Sequence, residues 1–560
     1  MNHIDLTLLF GTIVFIVVYG VWKTRKQQNI EGYLKGDNSL KWGTVGLSVM
    51  ATQASAITFI STPGQAFESG MAFVQNYFGL PIALMIVSFV FIPIYFKLKV
   101  YTAYEYLETR FDLKTRALGA FLFLLQRGLA AGITIYAPAI ILSTILDWHI
   151  SFTIILTGVL VIIYTASGGT RAVSVTQKQQ MIVIMGGMFL AFFILINYIQ
   201  EYVSFPQAIK IASVLGKMEA IDFSFDFEKR YTFWSGITAG LFLSLSYFGT
   251  DQSQVQRYLG GKDASTSKIG LMFNAIFKIP MQYFILFLGV MVYVFYIFNP
   301  SPVHFTPEAV KQLSDVQGEI NMEHLQNDFK EATDARKSAA IEFIASGKDS
   351  LLIKYDKEVN NIRLRTKSLM QKEGITDSEN DSDYVFLTFI LNYLPHGIIG
   401  LLIAVIISAA MSSTSGEINA LASTTSIDFY KRLIKPVATE KHYLNVSRLL
   451  TGTWGGIAII FAFVADSSEN LIEAVNIIGS LFYGTVLGIF LCAFFVSFVK
   501  GTAVFWGAIL GEGAVLAFHF LTKAGIINIG YLWYNLIGCL LTIVFSMMLQ
   551  STFTRPKHSQ

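Results

Sequence analysis

Oxygen-bearing side chains occur where the sequence is otherwise apolar. Residues 408–417 read Ser408-Ala409-Ala410-Met411-Ser412-Ser413-Thr414-Ser415-Gly416-Glu417. The hydroxyls of Ser412 and Ser413 present the oxygen ligands that hard cations prefer. Glu417 is an ionisable group in a stretch where an unpaired charge is costly. A second such segment reads Ala51-Thr52-Gln53-Ala54-Ser55-Ala56-Ile57-Thr58, followed by Pro63-Gly64. A third runs Ser244-Leu245-Ser246-Tyr247-Phe248-Gly249-Thr250-Asp251-Gln252. Residues of this kind let helices pack closely, or they mark backbone that leaves the helix and frees carbonyls to hold an ion. His149, His304, His396 and His519 are scattered without ligand spacing, and no nucleophile–base pair stands out. An enzyme is therefore not expected.

The elements that must position these groups follow from the apolar background. Of 560 residues, 53% are hydrophobic and 14% charged, too apolar for soluble domains of this length. Between the charges lie runs of roughly 18–25 apolar residues, the length a helix needs to cross a bilayer, and lipid leaves the backbone no other partner than its own helix. The expected spans are 4–22, 43–66, 71–96, 118–146, 150–167, 175–198, 233–255, 269–298, 398–425, 449–466, 471–495, 503–522 and 528–550. The fold class is thus an all-α integral membrane protein of about thirteen transmembrane helices. The first run, Leu6 to Trp22, reads as a retained helix and not a signal peptide. Cys492 and Cys539 each sit in an apolar run and suggest no disulfide framework. No Lys/Arg-rich segment points to nucleic acid, and the net charge is only +3.

Alternate loops differ sharply in charge. One set holds Lys23, Arg25, Lys26, Lys35 and Lys41, then Lys97, Lys99, Arg110, Lys114 and Arg116. The same side carries Arg171, Lys178, Arg257, Lys262, Lys268, Lys431, Arg432, Lys435, Lys441 and Arg448. The positive-inside rule then places the N-terminus outside and the C-terminus, with Arg555 and Lys557, in the cytoplasm of a cell-membrane protein. The hydrophilic stretch 300–383 falls outside; its alternating charges from Met322 to Lys372 suggest solvated helices or a partly ordered spacer.

The two polar segments near 51–58 and 244–252 each begin a group of five runs, as two inverted repeats with broken first helices would. At these positions the sequence resembles the sodium:solute symporter family, whose members carry galactose, proline, sialic acid, iodide or monocarboxylates with sodium. The resemblance spans about residues 4 to 500. It rests on Thr102-Ala103-Tyr104-Glu105-Tyr106-Leu107-Glu108 with Arg110-Phe111, on Gly168-Gly169 with Ala172-Val173, and on Gln254-Val255-Gln256-Arg257-Tyr258-Leu259. The Ser412-Ser413 helix ending in Asp428-Phe429-Tyr430 completes it. It implies a five-plus-five inverted-repeat core containing two broken helices, with one helix before and two after. The expected organisation is a first helix and loop (1–42), a first repeat (43–198), the start of a second (199–299), the insert (300–383), the rest of the second repeat (384–500), and two terminal helices with a tail (501–560).

The resemblance also implies ligands. The family's main sodium site falls on Ala51, Ala54, Ala409, Ser412 and Ser413, all neutral oxygen donors suited to a monovalent ion. A second sodium site found in some members needs an aspartate where this chain has Gln177 and a serine where it has Gly416. One sodium per cycle, as coupling ion and with no other cofactor, is the default. Glu417 beside the lost site either restores a negative charge there or, as the favoured reading, pairs with a cytoplasmic Lys or Arg. Family solute sites fall on Gln53, Ser55, Thr58, Gln75, Asn76, Tyr77, Ser244, Tyr247, Phe248 and Lys278, with Asn476 and Glu473 from the tenth core helix. The arginine that sialic acid carriers use for the carboxylate falls on Ala130; Arg127, one turn away, either reaches inward or, as favoured, pairs on the cytoplasmic side. Lys278 aligns with a sugar-contacting lysine, whereas Tyr136-Ala137-Pro138-Ala139 looks like the iodide, vitamin and monocarboxylate branch. The expected partners are the bilayer, sodium and a small polar solute, leaning to a sugar or sugar derivative. An organic anion is the alternative, and a membrane sensor built on the same fold is an alternative of another class. A channel is not expected, because no repeated pore ring is present.

Overall fold

Nothing in the sequence stops an apolar helix except small polar residues, glycine and proline, and the architecture follows their positions. The computed structural model describes residues 2–24, 32, 40–375, 381–464 and 470–553. Arg25, Lys26 and Lys35 of the first basic loop and Arg555 and Lys557 of the tail lie outside them. Among the described residues the regular structure is helical, with one isolated bridge between Leu40 and Gly261. Helix α1 is His3–Thr24. The next is broken: α2, Trp42–Gln53, stops, and α3, Ala56–Ser69, resumes after Ala54 and Ser55. A 3-10 turn over Gly70–Tyr77 leads into α4 (Leu80–Ile86), a π turn over Val87–Phe91, and α5 (Ile92–Leu98). Then come α6 (Glu105–Arg110), α7 (Leu113–Leu146), α8 (Ile150–Gln200) and α9 (Phe205–Val214). A second broken helix gives α10 (Gly240–Gly249) and α11 (Gln252–Leu259), followed by α12 (Ala264–Phe298). The insert forms α13 (Pro307–Gln317), α14 (Glu319–Ser346) and α15 (Ser350–Lys372). The chain closes with α16 (Ser382–Tyr393), α17 (Ile398–Thr424), α18 (Glu440–Val464), α19 (Leu471–Phe495), α20 (Gly501–Lys523) and α21 (Trp533–Phe553).

Among the described residues, nine stretches are long and apolar enough to cross a membrane. The other expected spans fall on shorter pieces, because His3–Phe15 and Ile150–Ala166 are short apolar runs and the two broken helices divide theirs. Two boundaries differ from expectation. Span 71–96 is not one α-helix, since Gly70 adopts φ 71° and Pro81 and Pro93 interrupt the ladder. The loop expected at Gly168-Gly169 is no break: helical backbone is continuous from Ile150 to Gln200. That stretch contains no proline, and a glycine pair costs a helix only about 1 kcal/mol per residue.

Helix α17 is the centre, buried over almost its whole length and packed on α1, α7 and α8. Helix α12 packs along both halves of the first broken helix, and α19 joins α7 to the terminal pair α20 and α21. Where α3 crosses α12, a Cβ on Gly289 would come within 2.2 Å of Pro63 O, so only glycine allows that approach.

The described helices of the insert are anchored to the neighbouring helices. Arg336 and Lys337 donate to the terminal carbonyls of α12, at Tyr296 (3.1 Å) and Phe298 (2.9 Å). Arg336 also pairs with Asp356 at 3.1 Å. Lys367 bridges Asp381 at 2.9 Å and Glu68 on α3 at 3.2 Å. Burial pushes the Asp381 carboxyl up, but His304, Lys367 and Arg363 outweigh it and hold it well below the usual carboxylate range. This contribution is therefore fully present above about pH 4, the unfolded value, and is lost as pH falls through the depressed folded value. Asp381→Asn is expected to cost about 3 kcal/mol at pH 7 and to remove the acid-induced fall in melting temperature, read by thermal unfolding of the purified protein. Equal melting of variant and wild type at pH 7 would contradict this.

Candidate functional site

Ending α2 at Gln53 leaves its last carbonyls without intrahelical partners, and Ala51 is among them. Ser413 on α17 faces this break, its Oγ 3.3 Å from Ala51 O and 3.1 Å from Ala409 O. Ser412 Oγ is buried and makes no hydrogen bond among the described residues. Ala54 sits at the break itself and closes α2 through its N–H to Met50 O. The five residues expected to hold a monovalent cation thus lie on the break and on the helix facing it, and neutral oxygens of this kind suit such an ion.

The positions of the family's second sodium site, which was expected to be lost here, are otherwise occupied. Gln177 accepts from Ser48 Oγ at 2.6 Å and donates to Thr52 Oγ1 at 3.2 Å. A Cβ on Gly416 would lie 2.1 Å from Arg257 Nη2, so Arg257 fills the space a side chain there would need. Arg257 is fully buried, and its three guanidinium nitrogens have no hydrogen-bond partner among the described residues.

Beside the breaks lies a cavity. Gln53, Ser55, Thr58, Asn76, Tyr77, Ser244, Tyr247 and Asn476, expected to meet the solute, line it, and so does Glu417, which was expected elsewhere. Three expected residues do not. Gln75 is turned to the loop ahead of the second broken helix, donating to Tyr231 O (3.1 Å) and accepting from Asp222 N (2.9 Å). Phe248 is fully buried behind Tyr247, with ring centroids 4.9 Å apart. Lys278 is fully buried, its Nζ 5.5 Å from the Tyr77 ring and without a hydrogen-bond partner among the described residues. Glu473 lies outside the lining too, tied to Arg230 (2.7 Å), Gln65 (3.2 Å) and Tyr231.

Arg127 corrects two favoured readings at once. It does not pair on the cytoplasmic side but lines the cavity, 2% exposed, and Glu417 pairs with it and not with a cytoplasmic cation. Its Nη1 donates to Glu417 Oε1 at 3.1 Å, while Nη2 contacts Asp251 and donates to the Tyr483 hydroxyl at 2.5 Å. Asp251 also caps α11, accepting from Ser253 N at 2.8 Å. One guanidinium therefore ties α7 to the second helix break, to α17 and to α19. Thr134 and Tyr483 are further lining residues that the sequence reading missed. The available signal was an arginine within an apolar run, which marks a functional position by default.

The motif at 102–110 braces the other end. Asp428 takes Arg116 at 2.7 Å and Thr102 Oγ1 at 2.8 Å, and Glu108 pairs with Arg116 at 2.8 Å and Arg432 at 2.5 Å. Tyr104 OH donates to Thr250 O at 2.9 Å, and Ala103 N to Gln252 Oε1 at 3.1 Å, holding the second break open.

Paired helix breaks, a polar cavity between them and an oxygen-lined ion position define a multi-helix membrane carrier. The chain belongs to the sodium:solute symporter family, whose sequence model matches residues 33–325 and 363–511. It is 25% identical to the sodium/sialic acid symporter SiaT of Proteus mirabilis, over 99% of this chain and 95% of that protein. It is 30% identical to the human sodium/iodide cotransporter over 48% of this chain and 42% of that one. The fold matches a solved Na+-coupled sialic acid symporter in a substrate-bound outward-open state, with TM-score 0.75 and 22% identity over both whole chains.

Proposed function

We propose that this transporter couples the inward movement of one sodium ion to that of a small polar organic solute, a sugar or sugar derivative, by alternating access. The observation that carries the reading is the freed Ala51 carbonyl opposite the Ser413 hydroxyl, with Ser412 Oγ unpartnered beside it. Sodium is held by Ala51, Ala54, Ala409, Ser412 and Ser413, and the solute by the cavity next to them. One ion is favoured because Gln177 is a neutral amide bonded to Ser48 and Thr52, and the Arg257 cation stands against Gly416. One charge crossing roughly 100 mV supplies about 2.3 kcal/mol, or about fiftyfold accumulation of a neutral solute. The N-terminus is outside and the C-terminus cytoplasmic, in five-plus-five repeats, and the protein acts as a carrier and not as an enzyme or sensor.

Lys278 acts on the solute from behind Tyr77, to whose ring it is the near cation. Lys278→Ala is expected to weaken solute affinity about tenfold by removing the buried cation–π contact that fixes the Tyr77 ring in the cavity wall, with sodium dependence retained. Uptake by proteoliposomes across solute and sodium concentrations tests this, and an unchanged half-saturating solute concentration would remove Lys278 from the site. A second reading, an organic-anion carrier, draws on the arginine in the cavity wall.

A further inference from the structure

We propose that the cavity selects solutes bearing no negative charge, either uncharged polyhydroxylated compounds or amines, and rejects carboxylates. The inference rests on the symporter reading of this cavity and names its solute class. Among the described lining residues Arg127 is the only cation; its two terminal nitrogens are already committed, and only its Nε has no partner among the described residues. Nη2 serves Asp251 and Tyr483, and Nη1 serves Glu417, so two carboxyl groups face one guanidinium. The remaining Asp251 oxygen accepts from Ser253 N and Oγ at 2.8 and 2.7 Å, and Glu417 Oε2 lies 2.9 Å from Thr134 Oγ1. These partners hold the acidic groups in place, and a solute carboxylate would meet a cavity lining whose one cation already faces two carboxyl groups. Desolvating it there without a counter-charge is unfavourable, and the two resident carboxyl groups add like-charge repulsion.

A second, independent observation concerns hydrogen bonding. Gln53 Oε1 and Asn76 Oδ1 belong to lining residues, are buried, and have no partner among the described residues. Unpaired carbonyl oxygens call for O–H or N–H donors, which hydroxyls and ammonium groups supply, so a solute would have to turn such groups, and not a carboxylate, toward them. Lys278 does not repair the balance, because Tyr77 lines the cavity and Lys278 does not.

The test compares neutral hexoses and polyols, hexosamines, and hexuronates with sialic acid as solutes for the full-length protein in proteoliposomes. At least one neutral or amine-bearing compound is expected to be taken up about tenfold faster than any acid, a 1.4 kcal/mol preference. Uptake of an acid at or above the best neutral compound would overturn the proposal, as would uptake of nothing from the first two groups. Glu417→Gln removes one negative charge with little change of shape. It is expected to raise the acid-to-neutral uptake ratio about tenfold, and an unchanged ratio in a variant that melts like wild type would also overturn the proposal. If that variant does not fold, the wild-type ranking alone decides. Equal rates in sodium and choline would defeat the coupling reading, and the solute ranking would still decide the charge preference.

Discussion

Arg127→Ala is expected to abolish uptake and to destabilise the protein by about 3–5 kcal/mol, the cost of leaving buried carboxylates without their cation. The variant strands Asp251 and Glu417 together, both under one-tenth exposed, and releases the tie that holds α7 to the second break and to α17. Arg127→Lys keeps the charge but lacks the planar fork that reaches both partners, so it should fall between wild type and alanine. Denaturation of purified protein, read alongside proteoliposome uptake, measures both effects. A variant that melts and transports like wild type would show that the cluster is dispensable.

Ser412→Ala is expected to raise the sodium concentration for half-maximal uptake about ten- to hundredfold, since a hydrogen bond or contact to a charged group is worth about 1.5–3 kcal/mol. Its hydroxyl makes no hydrogen bond among the described residues, so its loss should leave stability nearly untouched. Ser413 differs, because its hydroxyl reaches both Ala51 O and Ala409 O. Ser413→Ala should therefore lower both sodium affinity and stability. Sodium titrations of uptake with melting curves separate the two effects. An unchanged sodium dependence in Ser412→Ala would remove that residue from the ion site.

The helix breaks were legible in the sequence because their cause is local. Ala51-Thr52-Gln53-Ala54-Ser55 offers little apolar side chain to pack, and α2 stops within it; the second break falls at Thr250 and Asp251, inside the segment singled out. Of the eight expected solute residues that line the cavity, Gln53, Ser55 and Thr58 sit at the first break, Ser244 and Tyr247 just before the second, Asn476 on the facing α19, and Asn76 and Tyr77 on the 3-10 turn after α3. The charged centre was not legible, because its parts are far apart in the chain. Arg127 and Glu417 are separated by 290 positions, and Arg127 and Asp251 by 124. No spacing rule reveals such a pair, and positive-inside reasoning draws an arginine near a helix end toward the cytoplasm. Gln75 was misplaced for a similar reason, since its partners at Tyr231 and Asp222 belong to a loop with no periodic signal. The Ile150–Gln200 run shows the opposite error, in which spans 150–167 and 175–198 were separated by a loop although no proline stands between them to enforce one.

Sodium coupling is the claim on which the ion site, the cavity and the family likeness converge. The most direct test is solute uptake by proteoliposomes under an inward sodium gradient and under equimolar choline, across neutral sugars, amino sugars, sugar acids, amino acids and monocarboxylates. Accumulation above the external concentration in sodium, and its absence in choline, is expected for at least one solute. Equal uptake in the two salts would contradict sodium-coupled transport.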